Sequence, residues 1–238
     1  MNFYKSRQAF TLSEVLITLG IIGIIAALTL PNIIADYRDK ADVMKVKQAY
    51  SLISQALNSA IAKNGDITSW NNISNVRNYL ASEMQVIEKY GDTANLYKYE
   101  DFKSLNGNQI YNSLLHRPGY RTKNGMVFMF GTFFNYIENC ANTSENGYCA
   151  IISIDINGTK GPNRYGFDVF ELSVNKNNKI SVYGADIKRC NPIIDVSTDG
   201  HPNGQSCISW ILQEGNMNYK KCLRGNEKYC NINYNKYK

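Results

Sequence analysis

The residue with the clearest capacity for chemistry is Glu14, a carboxylic acid inside a long apolar run. The run extends from Phe10 to Leu30, about 21 residues or roughly 31 Å as a helix, which is enough to cross a hydrocarbon core. A carboxylate inside such a helix is costly and usually pairs with an opposite charge. We therefore expect Glu14 to form an ion pair with an ammonium group in apolar surroundings.

The residues before Glu14 indicate the source of that ammonium. A short basic leader is followed by AFTLSE at residues 9–14. This arrangement resembles the prepilin cleavage and methylation motif of type IV pilins and type II secretion pseudopilins. The resemblance implies that a prepilin peptidase/methyltransferase cuts between Ala9 and Phe10 and methylates the Phe10 nitrogen, and that Glu14 is the assembly carboxylate. The residue before the cut is most often glycine in this family, whereas here it is Ala9.

Two simpler interpretations of the apolar run are a secretory signal and a plain membrane anchor. A secretory signal has a shorter apolar region, of roughly 7 to 15 residues, followed by a small-residue cleavage site. The sequence after the run, Ile33-Ile34-Ala35, matches such a site poorly. A plain anchor explains the length of the run and the basic leader, but it does not explain Glu14.

The charge of the chain gives no indication of a nucleic-acid partner. The formal net charge is +6, from 26 basic and 20 acidic residues, and removal of Lys5 and Arg7 with the leader reduces it to +4. The remaining basic residues form no dense run apart from Lys220-Lys221 and the end of the chain at 236–238. We interpret them as solvated surface.

Beyond Pro31 the apolar pattern becomes one-sided, as in an amphipathic helix. The apolar positions are Ala41, Val46, Ala49, Tyr50, Ile53, Ala56, Leu57, Ala60 and Ile61. Gly65 is suited to a helix C-cap, and Pro31 should kink the helix because it lacks a backbone donor. The predicted organisation is a leader at 1–9, a transmembrane or filament-core helix at 10–30, its amphipathic continuation at 31–64 and a globular head at 65–238.

The pattern in the head predicts an α+β fold in which the long helix packs on a small antiparallel sheet, and the resemblance implies that this arrangement is pilin-like. Apolar spacing from Ile73 through Ile87 predicts a second helix that ends before Gly91. Residues 126–137, 149–156 and 168–174 are typical of strands. The Asn177-Asn178 pair predicts a hairpin turn into a further strand at 179–183.

The six cysteines all lie in the second half of the chain, at Cys140, Cys149, Cys190, Cys207, Cys222 and Cys230. An even number of cysteines in an exported head indicates disulfides. Sequence-local pairing would join the first to the second, the third to the fourth and the fifth to the sixth, but six cysteines allow 15 connectivities. A zinc site is disfavoured because the sequence contains no C-x-x-C pair.

The candidate metal site consists of Asp155, Asn157, Thr159 and Asp168. Alternating oxygen donors beside Gly158 resemble a calcium loop, but the closing bidentate glutamate of an EF-hand is missing and Lys160 adds a positive charge. The same residues are typical of a tight turn after a strand. The sequence leaves both a calcium site and a turn open, and some pseudopilins bind calcium in the head.

Two further sets of residues are relevant to function. The segment CISWIL at 207–212 and the residues up to Tyr219 mix aromatic and polar positions, which fits either the edge of the head or a surface that stacks on a sugar or partner. His116 and His201 lie in no nucleophile motif, and the common hydrolase, metalloprotease and phosphate-loop patterns are absent from the sequence. We therefore expect no enzyme activity.

The resemblance implies a structural subunit of a type IV pilus or a type II secretion pseudopilus. Such a subunit waits in the cytoplasmic membrane as a single-pass protein with its head outside the cytoplasm. It then joins other subunits in a helical filament in the periplasm or at the cell surface. The alternative is a membrane-anchored minor pilin or adhesin whose head binds a ligand or a surface. A required cofactor is not expected, and calcium is the one possible ion.

Overall fold

A computed structural model of the chain describes residues 11–70, 72–91, 97, 102–110, 117–131, 140, 148–182, 187–193 and 202–230. Its α-helices are α1 (Leu12–Asn64), α2 (Ile73–Glu83), α3 (Cys207–Glu214) and α4 (Tyr219–Leu223). Its strands are β1 (Val86–Tyr90), β2 (Gly119–Thr122), β3 (Val127–Gly131), β4 (Tyr148–Asp155), β5 (Val169–Asn175) and β6 (Ile180–Val182). Short 3-10 helices cover Ile67–Ser69, Ile187–Cys190 and Glu227–Tyr229.

The chain divides into two compact units, Met1–Ala41 and Asp42–Lys238. In the first unit the described residues form the N-terminal part of α1, of which residues 12–30 are mostly apolar and exposed. The second unit contains the rest of α1 together with all other helices and strands. The C-terminal part of α1 is therefore an integral element of the head.

The described strands form one antiparallel sheet in the order β1-β2-β3-β4-β5-β6. Each strand pairs with its neighbours in sequence, so the sheet is a meander. In the central pair, Ile152 lies opposite Leu172 and Ser153 lies opposite Glu171. Because side chains alternate along a strand, this register sends the first pair to one face of the sheet and the second pair to the other.

The first face of the sheet packs on α1 and forms the main hydrophobic core. The members from α1 are Val46, Ala49, Ile53, Ala56, Leu57 and Ala60, and those from the sheet include Phe128, Phe130, Ile152, Ile154, Phe170, Leu172 and Val174. The small alanines on α1 let the helix approach the large aromatic and branched residues of the sheet closely. The one-sided pattern predicted for the amphipathic segment is confirmed at these positions, whereas Ala41, also predicted for the buried face, is exposed.

The second face of the sheet is covered by irregular connections. A smaller cluster there contains Tyr97, Phe102, Val127, Met129, Tyr165 and Val169. The same face carries the buried polar residues Ser153, Asp155 and Glu171, each at most 2% exposed. Sequence patterning gave no indication of this polar layer, because an alternating strand pattern is equally typical of residues that face water.

The prediction of an α+β fold with a long N-terminal helix and an antiparallel sheet is confirmed. Strands β4, β5 and β6 lie close to their predicted positions, and Asn178 adopts a positive φ of 59° in the turn before β6. Gly65 caps α1 with a φ of 78°, and its N–H donates to the Ile61 carbonyl. Pro31 lies inside α1, and the kink expected there stays a prediction.

Two local features differ from the predictions. The second helix ends at Glu83, and Ile87 lies instead in β1, because pairing with β2 outweighs the helical spacing of the apolar residues. Strand β2 was missed because its four residues are too short to show an alternation. Residues 207–212 lie in helix α3, whose C-terminus is capped by Gly215 at a φ of 67°.

The aromatic residues of the C-terminal segment do not form an exposed stacking surface. Trp210 is 8% exposed and Tyr219 is fully buried, and their rings meet edge to face with centroids 6.2 Å apart. The indole N–H of Trp210 donates to Asn216 Oδ1 at 3.1 Å, and the Tyr219 hydroxyl donates to the Gly166 carbonyl at 2.7 Å. Both rings belong to the main hydrophobic core, where Trp210 of α3 packs against Tyr219 of α4.

Candidate assembly segment and polar sites of the head

Helix α1 begins with a capping box formed by Thr11 and Glu14. The Thr11 hydroxyl oxygen accepts the Glu14 N–H at 3.2 Å. In return, Glu14 Oε2 accepts both the Thr11 N–H and the Thr11 hydroxyl, each at 2.8 Å. Such reciprocal bonds satisfy N–H groups that have no partner within the helix. The other carboxylate oxygen, Oε1, has no hydrogen bond within the described part of the chain.

The N-terminal part of α1 exposes apolar side chains on all sides. These include Leu12, Leu16, Ile17, Leu19, Ile21, Ile22, Ile24, Ile25, Leu28, Leu30 and Ile33, each at least 50% exposed. Within the described residues, α1 is the one helix long and apolar enough to cross a membrane, and its most apolar window has a mean hydropathy of 2.2. An exposed apolar surface of this extent needs lipid or other protein to cover it.

The threonine hydroxyl groups of this segment are satisfied within the helix. Thr18 donates to the carbonyls of Glu14 and Val15, at 3.0 and 2.9 Å, and Thr29 donates to the Ile25 carbonyl at 2.9 Å. Glu14 is the one ionisable side chain between Thr11 and Leu30. Ala9 and Phe10, the residues of the predicted cleavage site, lie outside the described residues.

The six cysteines are joined in the sequence-local order. The structure pairs Cys140 with Cys149, Cys190 with Cys207, and Cys222 with Cys230. The second of these bridges ties the start of α3 to the 3-10 helix Ile187–Cys190. In the chain-entropy model, loops of 8 to 17 residues each add roughly 2 to 3 kcal/mol to the stability of the fold.

The structure brings together three of the four residues of the candidate calcium site. Asp168 Oδ2 accepts the Asn163 N–H at 2.9 Å and the Asn157 side-chain amide at 3.2 Å, while Oδ1 accepts the Arg164 N–H at 2.6 Å. Asp155 accepts the Asn157 N–H at 3.1 Å and the Tyr97 hydroxyl at 3.0 Å. Both carboxylates thus hold the β4–β5 connection in place.

The geometry of this donor set favours a hydrogen-bonded turn over a calcium site. The carboxylate oxygens accept protein N–H and O–H groups, and Thr159 lies at the exposed end of the turn. Among the residues that the structure describes, no group of three His, Cys, Asp or Glu side chains is placed to hold a metal ion. Calcium binding at these residues stays a prediction.

The two aspartates share a buried environment that disfavours their charged forms. Burial raises the pKa of Asp155 well above its usual range, and the nearby Asp168 raises it further. Burial also raises the pKa of Asp168, against the lowering effect of its bonds from backbone N–H groups. Because a raised folded-state pKa means extra protons bound by the folded chain, this pair stabilises the fold most below about pH 4. That contribution to stability is lost as pH rises through the folded-state pKa values of the two aspartates.

Replacement of Asp155 by Asn should therefore change how stability depends on pH. The asparagine side chain would keep the size of the aspartate and one acceptor oxygen, but it cannot ionise. We expect the free energy of unfolding of the Asp155→Asn variant to increase relative to that of the wild type as pH rises from 4 to 8. Chemical denaturation of the full chain in detergent micelles, repeated along the pH series, measures this difference.

The matched control is Glu227→Gln, which neutralises an exposed carboxylate in the C-terminal 3-10 helix. Its stability curve should run parallel to that of the wild type across the same pH range. Parallel curves for Asp155→Asn as well would contradict the assignment of a raised pKa to Asp155.

A second polar cluster, centred on Glu171, lies on the same face of the sheet. Glu171 Oε1 accepts the Ser153 hydroxyl at 2.8 Å and the Tyr165 hydroxyl at 3.1 Å, and Oε2 accepts the Gln205 amide. Arg117 Nη1 lies 3.8 Å from Oε1 and donates to Ser153 at 3.0 Å. Glu171, Arg117 and Gln205 are at most 5% exposed. This cluster fixes the segments around Arg117 and Gln205 to the sheet.

Gly131, at the end of β3, makes room for this cluster. A Cβ atom at this position would lie 2.5 Å from Arg117 Nε and 2.6 Å from Arg117 Cδ. The Arg117 side chain therefore crosses directly over the glycine. The sequence carries no signal for this contact, because Arg117 and Gly131 meet only through the pairing of β2 with β3.

Three cationic side chains line a cleft between two turns of the head. This cationic cleft, of about 410 Å³, is lined by Lys45 of α1, Arg121 of β2, Asn124 and Gly125 of the β2–β3 turn, and residues 156–160 after β4. The two turns touch, since a Cβ on Gly158 would lie 2.9 Å from the Gly125 carbonyl oxygen. The sequence suggested none of this, because the cations are distributed over 116 residues, from Lys45 to Lys160.

Comparison with known proteins gives one match. Residues 4–30 match the family model described as the prokaryotic N-terminal methylation motif. No curated protein and no solved structure matches the chain. The motif suggests a structural subunit rather than an enzyme, and it covers residues 4–9 of the predicted leader and the apolar part of α1. With its exposed apolar helix and the capping-box glutamate, this chain carries the prepilin-type motif of type IV pilins and pseudopilins.

Proposed function

We propose that this chain is a pilin or pseudopilin that assembles into a type IV pilus or a type II secretion pseudopilus. The observation that supports this function is the N-terminal part of α1. Its residues 12–30 are mostly apolar and exposed and carry one carboxylate, and they lie within the methylation motif at residues 4–30. A soluble protein would not leave so large an apolar surface uncovered. Neighbouring copies of the same helix would cover it in a filament.

In this proposal the leader is removed between Ala9 and Phe10 while the chain spans the cytoplasmic membrane with its head outside. The new Phe10 ammonium of one subunit then pairs with Glu14 of a neighbour. Glu14 Oε1 is suited to this contact, because the capping box engages only Oε2. The subunit needs no rearrangement of its helix start to accept the ammonium.

The rest of the assembly energy would come from helix packing. Gly20 and Gly23 lie on α1 three residues apart, and a Cβ atom at either position would have nothing within 4 Å in the single chain. Small residues let helix backbones approach closely in an apolar medium. These two positions are therefore candidate contact points between the helices of neighbouring subunits.

Intact-mass and N-terminal peptide analysis of the protein from its native membrane tests the processing step. We expect a chain that begins at Phe10 and carries one methyl group on its N-terminal nitrogen. A chain that retains Met1 would indicate a plain anchor, and a chain that begins near Asp36 would indicate a secreted protein. Either of these results would contradict the proposal.

A second candidate function is a minor pilin or adhesin whose head binds a ligand. The cationic cleft is the observation that favours it, since Lys45, Arg121 and Lys160 line a cavity of about 410 Å³. The two functions differ in copy number, because a major subunit forms the length of the filament and a minor subunit is present in few copies. Quantification of the chain relative to the other subunits of purified filaments separates them.

A further inference from the structure

We infer that Thr11 is a positioning residue for removal of the leader, because it stops α1 before the helix can extend across the Ala9–Phe10 bond. The inference rests on the proposed function, since it concerns the cleavage step of that proposal. Ala9 and Phe10 lie outside the described residues. The supporting observations are therefore the contacts at the start of α1 and the sequence that precedes it.

Thr11 has the contacts of an N-cap residue. Its carbonyl accepts the Val15 N–H at 3.3 Å, and its hydroxyl oxygen accepts the Glu14 N–H at 3.2 Å. An N-cap residue has non-helical φ and ψ, although its carbonyl already takes part in the helix. The helical residues accordingly begin at Leu12.

The backbone N–H of Thr11 is also engaged in a way that opposes extension of the helix. It donates to Glu14 Oε2 at 2.8 Å. In a helix extended toward the leader, the same N–H would donate to the Arg7 carbonyl, four residues earlier. The capping box therefore holds Thr11 in an arrangement that excludes a further helical turn before it.

The sequence before Thr11 contains no other signal that would end the helix at this point. Residues 7–10 are Arg, Gln, Ala and Phe, of which the first three have high helix propensities. Neither glycine nor proline occurs before Gly20. The next residue toward the N-terminus that favours an N-cap is Ser6. A helix that began after Ser6 would contain both residues of the bond.

A helix across the bond would slow its hydrolysis. The Ala9 carbonyl would then accept the Ser13 N–H, because helical hydrogen bonds join the N–H of each residue to the carbonyl four residues earlier. Hydrolysis adds water across the peptide bond: the hydroxyl joins the Ala9 carbonyl carbon, and the Phe10 nitrogen takes the proton and leaves as an amine. This attack requires an unwound turn, so the observed rate scales with the fraction of chains that are already unwound.

Initial cleavage rates of the full-length precursor test this inference. Each variant is purified in alkyl maltoside micelles and mixed with a purified prepilin peptidase, and kcat/KM is obtained from intact masses over time. We expect Thr11→Ala to lower kcat/KM about fivefold, which corresponds to about 1 kcal/mol, the usual cost of removing a threonine N-cap. Thr11→Ser keeps the capping hydroxyl and should restore the wild-type rate. Equal rates for the wild type and Thr11→Ala would overturn the inference.

A double-mutant cycle with Ala9→Gly distinguishes the position of the helix start from direct recognition of the Thr11 side chain. Glycine disfavours a helix through position 9 about as strongly as loss of the cap favours it. Thr11→Ala should therefore change kcat/KM by less than about twofold in the Ala9→Gly background. The same fivefold loss in both backgrounds would overturn the inference and indicate that the peptidase contacts Thr11 directly.

Thr18→Ala is the matched control, because the Thr18 hydroxyl donates to the Glu14 and Val15 carbonyls within α1 and takes no part in the cap. Its precursor should be cleaved at the wild-type rate, and a loss equal to that of Thr11→Ala would overturn the inference. A wild-type precursor that is not cut after Ala9 would contradict the proposed function itself. A fivefold slower cleavage still permits complete processing during growth, so the effect is measured as an initial rate.

Discussion

Chains with Glu14→Gln are expected to be processed and to fold normally, yet to fail to enter the filament. Gln keeps an oxygen that can accept the Thr11 N–H, so the capping box survives in part. It cannot neutralise the Phe10 ammonium of a neighbouring subunit. Because an uncompensated charge in apolar surroundings is costly, we expect subunit addition to fall about a hundredfold.

Sedimentation of sheared filaments, followed by quantification of the subunit in the pellet and in the membrane, measures this loss. Thr11→Val is the matched control, because it removes the hydroxyl from the capping box and leaves the Glu14 charge in place. We expect the Thr11→Val chain to assemble. The mature mass must be determined in the same samples, since an unprocessed chain gives no information on assembly.

The two variants separate the two roles of Glu14. If Glu14 served only as a helix cap, Thr11→Val would assemble as poorly as Glu14→Gln. If Glu14 is the assembly carboxylate, only Glu14→Gln fails. Normal incorporation of a correctly processed Glu14→Gln chain would contradict the ion-pair mechanism directly.

Replacement of Arg117 by Met should destabilise the head by about 3 to 5 kcal/mol, the usual cost of breaking a buried ion pair. The change leaves the Glu171 carboxylate buried without its neighbouring positive charge. It also removes the donor to Ser153. Chemical denaturation of the full chain in detergent micelles measures the loss.

The double variant Arg117→Met/Glu171→Gln tests the physical reason. Gln at position 171 removes the uncompensated charge and keeps an oxygen that can accept from Ser153 and Tyr165. We expect the double variant to recover about half of the lost stability, because most of the cost comes from the unpaired charge. A double variant less stable than Arg117→Met would show that packing, and not charge, dominates at this site.

Lys123→Met is the control for the general effect of a cation-to-methionine change. Lys123 is an exposed residue in the β2–β3 turn. Its replacement should alter the free energy of unfolding by no more than about 0.5 kcal/mol. A loss at Lys123 comparable to the loss at Arg117 would mean that the measurement does not report on the buried cluster.

Much of the architecture was predictable from local pattern. The amphipathic stripe on α1 repeats over many turns, so its buried face follows from periodicity alone. Strands β4 and β5 are long and rich in branched and aromatic residues, and Asn178 supplies the positive φ that a tight turn needs. Each of these features is set by residues close together in the sequence. The shorter strands β1 and β2 depend on pairing partners about 30 residues apart, and no local signal marks them.

The sequence by itself determined the N-terminal segment, because a long apolar run, one carboxylate and a basic leader are all properties of neighbouring residues. It also supplied the Thr11 and Glu14 spacing of the capping box. Only the tertiary structure decided what lies on the second face of the sheet. Arg117, Glu171 and Gln205 come from distant segments, as do Lys45, Arg121 and Lys160. A polar residue that is buried in the fold shows the same local sequence pattern as one that faces water, so only the folded chain distinguishes them.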